Sequence, residues 1–281
     1  MSGINKLKDN IEVYESIGGL MEVYEEMAAK AMREIREEIL SGREYYQGLA
    51  ELSASVGADL SLFPYGQKRG SAIVLFSADE GLYGEILDRV FDSFLIAIRQ
   101  DRSAQIYLSG KSGIELMKLF EPGVKYTVLP VPTGKDSFKE VVGALWGYKK
   151  IEFYFGQFES LARQVAVNRQ VTAKEIMQTI QGGSSKIVAK LKYLYEPDVA
   201  EVSRVFGQEI FTGILDQTIK EGELARNASR LMHLDQALGK VESRLDKVRG
   251  GYLKMKKKLV ARKQNSAVAG YMALRQRGRH V

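Results

Sequence analysis

The tripeptide Gly110-Lys111-Ser112, with Gly113 behind it, is the stretch of this chain best suited by residue type to phosphate chemistry. Backbone N–H groups at a glycine turn and a lysine ammonium can together cradle a phosphate. A P-loop also needs a glycine five residues before Gly110, and Gln105 stands there. The spacing therefore favours a plain turn from a strand into a helix. Gly81-Leu82-Tyr83-Gly84 likewise lacks the G-x-G-x-x-G pattern of a dinucleotide fingerprint, and its glycines suit a tight turn and a close helix approach. The chain has two histidines, His233 and His280, and no cysteine, too few ligands for a metal cluster and none for thiolate chemistry. His233 reads as a partly exposed helix residue. The run Lys254, Lys256, Lys257, Lys258, Arg262, Lys263 has only Tyr252 and Tyr271 near it, unlike the aromatic-interleaved surfaces that bind single-stranded nucleic acid. It suits a solvated face or a partner with acidic edges. No catalytic site and no cofactor is expected.

Two long helices frame these residues. Leu231, Leu234, Leu238, Val241, Leu245, Val248, Tyr252, Met255 and Leu259 recur at alternating steps of three and four, an a/d seam held for four heptads. No proline follows Pro197, so one helix can run from about Val199 to about Ala273, on the order of 110 Å at 1.5 Å per residue. A helix of that length needs a partner along it. Val13, Ile17, Leu20, Tyr24, Met27, Ala31, Ile35 and Ile39 offer a matching stripe at the N-terminus. Charge agrees: Asp9 to Glu51 holds eleven acidic residues against four basic, and Lys240 to the end thirteen basic against two acidic. An antiparallel two-helix coiled coil is predicted.

Between the helices the period shortens. Ala72–Ser77, Gln105–Leu108 and Lys125–Val131 read as strands, each followed by a helical stretch: Glu85–Arg99, Ser112–Phe120 and Ser137–Tyr148. Ile151–Phe155, Gln164–Val171 and Ile187–Leu194 read as further strands, the first two as a hairpin. Strands alternating with helices of this size predict a largely parallel sheet with crossovers. The fold class is therefore α/β: a long antiparallel two-helix coiled coil of the N- and C-terminal helices with an inserted Rossmann-like domain. Its parts are a helix over 1–60, a globular domain over 70–194 and a second helix over 195–281. The net charge of +6 hides a dipolar layout, with the basic excess in the last helix. No apolar run approaches the roughly 18 residues of a membrane span, and the acidic, amphipathic start is unlike a signal peptide. A soluble protein that meets any membrane through a partner is expected.

Several motifs, in this order, resemble the gamma subunit of F-type ATP synthases, the central rotor shaft. Ile17-Gly18-Gly19-Leu20-Met21 and Met27-Ala28-Ala29-Lys30 are similar to the start and end of that family's first helix motif, I-T-x-A-M-x-M-V-A-A-A-K. Ser77-Ala78-Asp79-Glu80-Gly81-Leu82-Tyr83-Gly84 is similar to its S-D-R/K-G-L-C-G, with one insertion and an acid in place of the base. Tyr195-Glu196-Pro197 matches its Y-E-P, and Arg230-Leu231-Met232-His233-Leu234-Asp235-Gln236-Ala237 has the spacing of its R-M-x-A-M-x-x-A. The chain departs from the pattern at Arg226, where the family has Glu, and at Lys263 and Ser266, where it has two more. These departures suggest a divergent or alternative branch.

The resemblance implies a rotor with no active site, turning inside a ring of alpha and beta subunits. It also implies contacts of the globular base with the epsilon subunit and the membrane c-ring. Partner contacts would fall on Ile17, Leu20, Met21, Met27, Lys30, Arg230, Leu234, Ala237, Lys254, Lys256, Lys257, Lys258 and Lys263. Structural roles would fall on Asp79, Gly81, Leu82, Gly84, Tyr195, Glu196 and Pro197. The place would be peripheral, on the cytoplasmic face of a membrane, without direct insertion and without nucleic acid. Two other readings carry less: a coiled-coil scaffold or basic DNA-associated protein, and a small-ligand enzyme built on the α/β domain.

Overall fold

A computed structural model describes residues 2–56, 69–172, 175, 196 and 198–277. In chain order the elements are α1 (Ser2–Val56), β1 (Arg69–Phe76), α2 (Ile86–Gln100), β2 (Gln105–Ser109), α3 (Lys111–Phe120), β3 (Thr127–Leu129), α4 (Lys135–Leu145), β4 (Tyr148–Ser160), β5 (Arg163–Thr172) and α5 (Val199–Arg277). The strand expected over Ile187–Leu194 lies outside the described residues, as do Tyr195, Pro197 and His280.

The sheet order is β3-β2-β1-β4-β5. The first four strands are parallel to their neighbours and β5 returns antiparallel to β4, the predicted hairpin. Because β1 is central, its side chains are buried on both faces, which is why it reads as a continuous apolar run and not as an alternation. Ala72, Val74 and Phe76 face one cluster with Phe153, Leu145 and Phe211. Ile73 and Leu75 face the other with Phe94, Leu108 and Met117. β4 extends beyond the expected Ile151–Phe155 in both directions because β5 pairs with it from Lys150 to Ser160. α4 stops at Leu145, short of the expected Tyr148, where Gly147 at φ +99° turns the chain into β4.

The chain divides into two compact units, Met1–Glu26 with Leu234–Val281 and Met27–His233. Each long helix contributes to both, so the units do not end where the helices do. In the first, α1 and α5 run antiparallel. A β-carbon on Gly18 would lie 3.8 Å from Leu238 Cδ1 and 4.0 Å from Val241 Cγ1, and one on Gly3 would lie 3.7 Å from Met255 Sδ. Arg249 Nη2 donates to Glu15 Oε1 at 2.6 Å across the pair. The second unit holds the sheet and the inner parts of both helices. There Ile35 and Ile39 pack with Leu224, and a β-carbon on Gly213 would come within 2.3 Å of the Tyr46 ring.

The seam predicted on α5 is the one observed. Leu234 is buried, Leu231, Leu238, Val241, Leu245, Val248, Tyr252 and Leu259 are half-buried, and only Met255 is exposed. The α1 stripe needs correction over its first half. Val13, Leu20 and Met27 are 54%, 56% and 58% exposed and Ile17 is exposed too, while Tyr24 is half-buried. The covered positions lie one residue later: Ile4, Leu7, Ile11, Tyr14, Gly18, Met21, Glu25, Ala28, Met32, Ile35 and Ile39. These keep alternating steps of three and four throughout. The expected stripe takes three successive steps of four from Met27 to Ile39. Each such step overshoots a full turn by about 40° at 3.6 residues per turn, enough to join an outward face to the inward one.

Candidate functional site

β1 leaves the sheet at Phe76 and its next eight residues form a loop fastened on two sides. Ser77 Oγ donates to Ser109 O at 2.8 Å and accepts from Gly113 N at 2.9 Å. Ser112 N donates to Ala78 O at 2.9 Å, and Lys111 N to Asp79 Oδ1 at 2.9 Å. The first three N–H groups of α3 are therefore all used within the protein. The Gly110-Lys111-Ser112 turn has none of them free for a phosphate, which supports the plain-turn reading on geometry as well as spacing. Gly110 itself, at φ +96°, could not carry a side chain, because a β-carbon there would lie 2.7 Å from Ala78 N.

The far side of the loop is held by α5. Ser229 Oγ donates to Tyr83 O at 2.6 Å, and Arg230 Nη2 donates to Glu80 Oε2 at 2.8 Å and to Gly81 O at 3.0 Å. The Arg230 guanidinium also sits 4.1 Å over the Tyr83 ring. A desolvated cation over an aromatic face adds to the ion pair. Burial raises the Tyr83 phenol, while Arg230 and Arg226 pull it back. Gly84, at φ +59°, lies against the His233 imidazole, and a β-carbon there would be 1.7 Å from Nε2. Of the predicted structural residues, Asp79 ties the start of α3, Gly81 receives Arg230 through its carbonyl, and Gly84 makes room for His233. Leu82 is exposed with φ 68°, a conformation that L-residues adopt at a cost. Glu196 is exposed in a bend.

The predicted partner-contact residues fall into two groups. Arg230 and Leu234 are buried, while Met21 and Ala237 are half-buried. Arg230 spends its side chain on the loop of its own chain. Ile17, Leu20, Met27, Lys30, Lys254, Lys256, Lys257, Lys258 and Lys263 are exposed. Val23 continues the apolar stripe of Val13, Ile17, Leu20 and Met27 on α1. On α5 every residue from Val260 to Met272 is exposed, including Val260, Val268, Tyr271 and Met272.

A family model described as ATP synthase matches residues 3–262. The chain belongs to the ATP synthase gamma family. A curated relative, the ATP synthase gamma chain of Ruthia magnifica subsp. Calyptogena magnifica, is 18% identical over 98% of this chain and 100% of its own length. Among solved structures, a chain of the Euglena gracilis mitochondrial ATP synthase (OSCP/F1/c-ring, rotational state 3) superposes with a TM-score of 0.61 at 15% identity, covering 100% of this chain and 97% of that one. A chain of the Euglena rotor in rotational state 1 gives 0.59 at 14% identity over 92% and 99%. One of the Tetrahymena thermophila mitochondrial central stalk and c-ring gives 0.57 at 13% over 78% and 99%. At such identities these structures establish the fold.

Within this gamma-family chain, two departures from the family pattern meet in space. Glu80, the acid in place of a base, and Arg226, the base in place of an acid, line one crevice with Arg230. Sequence reasoning missed a second fastening. Arg169 on β5 donates to Thr218 Oγ1 at 2.9 Å and to Glu221 Oε2 at 3.2 Å, and Arg43 on α1 lies 3.8 Å from Glu221 Oε1. Glu221 is buried on α5, between Thr218 and Leu224, which are buried too. Its only signal was a carboxylate on the α5 face that must meet the sheet.

Among the described residues no helix is long and apolar enough to cross a membrane.

Proposed function

We propose that this chain is the central-stalk rotor subunit of a rotary F-type ATPase or ATP synthase, from a divergent branch. It couples rotation to nucleotide turnover in a ring of alpha and beta subunits, and to ion translocation through a membrane c-ring. Epsilon joins the base, and the assembly sits peripherally on the cytoplasmic face. The chain itself performs no chemistry. The observation that carries this reading is a coiled coil of the gamma family with apolar side chains turned outward. A stripe from Val13 to Met27 and the length of α5 from Val260 to Met272 have no cover among the described residues. Apolar residues repeated along an exposed helix face mark an interaction surface.

An asymmetric rod meets each ring subunit with a different face, so its angle favours a different conformation, and nucleotide affinity, in each. The exposed lysines Lys254, Lys256, Lys257 and Lys258 add positive charge around the last seam residues, Met255 and Leu259, and Lys263 adds one just beyond them. They would meet acidic edges of the ring, an attraction screened beyond a Debye length of about 8 Å at physiological salt.

The experiment is reconstitution with the cognate ring subunits, scored by complex yield and ATPase rate across an ionic-strength series. Reversing Lys256, Lys257 and Lys258 to Glu should lower yield and steepen its loss with salt. Truncation after Gly270 should be milder. Failure of the wild-type chain to assemble with the ring overturns the rotor reading. Assembly indifferent to the triple reversal at low and high salt shows the lysines to be a solvated face.

A further inference from the structure

A crevice of about 330 Å³ opens at the carboxyl ends of β1, β2 and β3, between those strand ends and α5. In open α/β sheets this is the edge at which ligands bind. Two guanidinium groups line it, Arg226 and Arg230, four residues apart and so on one face of the helix. Arg230 spends Nη2 on Glu80 and Gly81, and its Nε is buried with no acceptor among the described residues. Among the described residues nothing forms an ion pair or a hydrogen bond with the Arg226 guanidinium. Burial holds Arg226 below the ordinary arginine value. Glu223 and Tyr83 oppose that shift and Arg230 adds to it.

Three carboxylates, Asp79, Glu80 and Glu223, share the crevice with the two guanidinium groups, and none forms an ion pair with Arg226. Asp79 accepts from the start of α3, and Glu80 is engaged by Arg230. Glu223 is exposed and beyond ion-pair distance. The Arg226 guanidinium is half-buried and has no acceptor among the described residues, so it is open to one arriving from outside the chain. The α3 N–H groups are already used, so side chains of α5 must supply the hold.

We propose that this crevice binds a small phosphate-type oxyanion, held by the Arg226 guanidinium with the Arg230 guanidinium beside it, at the carboxyl edge of the sheet. A tetrahedral anion offers acceptors in several directions, which suits donors arriving from two side chains. Charge-assisted bonds of this kind are the strong ones. The ligand is free phosphate or the phosphoryl group of a nucleotide, which share that chemistry. The site does not depend on the rotor reading.

The test is calorimetric titration of the full chain with sodium phosphate at ionic strength matched by sodium chloride, and in parallel with ADP. Saturable phosphate binding is expected. It should weaken roughly tenfold or more in Arg226→Gln, as loss of a hydrogen bond between charged groups implies. Arg226→Lys keeps the charge and should bind within a few-fold of wild type. Glu80→Gln, which frees Nη2 of Arg230, should bind more tightly. Circular dichroism checks that each variant is folded, and the Lys and Glu80 variants keep the test alive should Arg226→Gln fail to fold. ADP binding tighter than phosphate, with the same dependence on Arg226, identifies the source as a nucleotide. No saturable phosphate or ADP binding at matched ionic strength overturns the proposal. So does binding that Arg226→Gln leaves unchanged.

Discussion

Glu25 occupies a covered position of the α1 stripe between Met21 and Ala28, and its Oε1 is buried with no hydrogen-bond partner among the described residues. Its carboxyl pKa is raised above 4.5, first by burial and then by the negative charges of Asp235 and Glu22. A folded-state pKa above the unfolded one means the folded pair takes up a proton more readily. The cost of the charge is therefore present at neutral pH and fades as pH falls through the raised value. An unsatisfied buried oxygen costs about 1–3 kcal/mol, and solvent reaching the rest of this half-buried side chain argues for the lower end, about 1 kcal/mol. Replacing Glu25 with Leu removes that cost and adds apolar contact in the seam, while Glu25→Gln removes the charge alone. Amide hydrogen exchange of α1 near residue 25, read between pH 7 and pH 5, is the assay, corrected for the intrinsic pH dependence of exchange. Wild type should gain protection as pH falls, Glu25→Leu should be more protected at pH 7, and both variants should lose the pH dependence. Exposed Glu26 is the control and its Gln variant should behave as wild type. Equal protection in Glu25→Leu and wild type at pH 7, or a pH dependence that survives in Glu25→Gln, would refute the reasoning.

Replacing both Leu238 and Leu245 with Asp puts charge into the seam and should cost several kcal/mol of local stability, with a fall in helicity by circular dichroism; an unchanged melting curve would mean these leucines do not hold the pair. Gly84→Ala meets two costs, roughly 1–2 kcal/mol for a left-handed L-residue and the collision with His233 1.7 Å from the new β-carbon. Adding His233→Ala should recover only the second, so a double variant as stable as His233→Ala alone would show that the backbone conformation costs nothing there.

The sheet was legible because its strands carry apolar runs bounded by turn residues, and the α5 seam because nine apolar residues hold their phase. The α1 seam was not, for a reason visible at two positions. Gly18 and Glu25 stand where an a/d pattern calls for apolar side chains, while Val13, Ile17, Leu20 and Met27 form a cleaner stripe one residue earlier. Periodicity counts apolar side chains and cannot tell which of two adjacent faces meets the partner helix. Gly18 lies in the seam against Leu238 and Val241, where a β-carbon would make ordinary van der Waals contact. Similarly, Arg230 was found by motif spacing, but its engagement with Glu80 and Tyr83 depends on a loop 150 residues away in sequence. No local pattern records that distance.

The offset in register also bears on function. Had the Val13 to Met27 stripe closed onto α5, Ile11, Tyr14, Gly18, Met21 and Glu25 would have turned outward, an apolar surface broken by a glycine and a carboxylate. With the register observed, a glycine and an unpartnered glutamate are spent in the seam, and the better apolar residues face outward. Moving Leu20 and Met27 into the seam would strengthen the pair, since each could bury roughly 1.5–3 kcal/mol of side chain. A chain selected only for the stability of its own coiled coil would not leave them outside. Their exposure makes sense when a second surface covers them, and the proposed ring supplies one at each angle the rod takes. The seam then needs only enough stability to keep the two helices in register while the outer face does the binding.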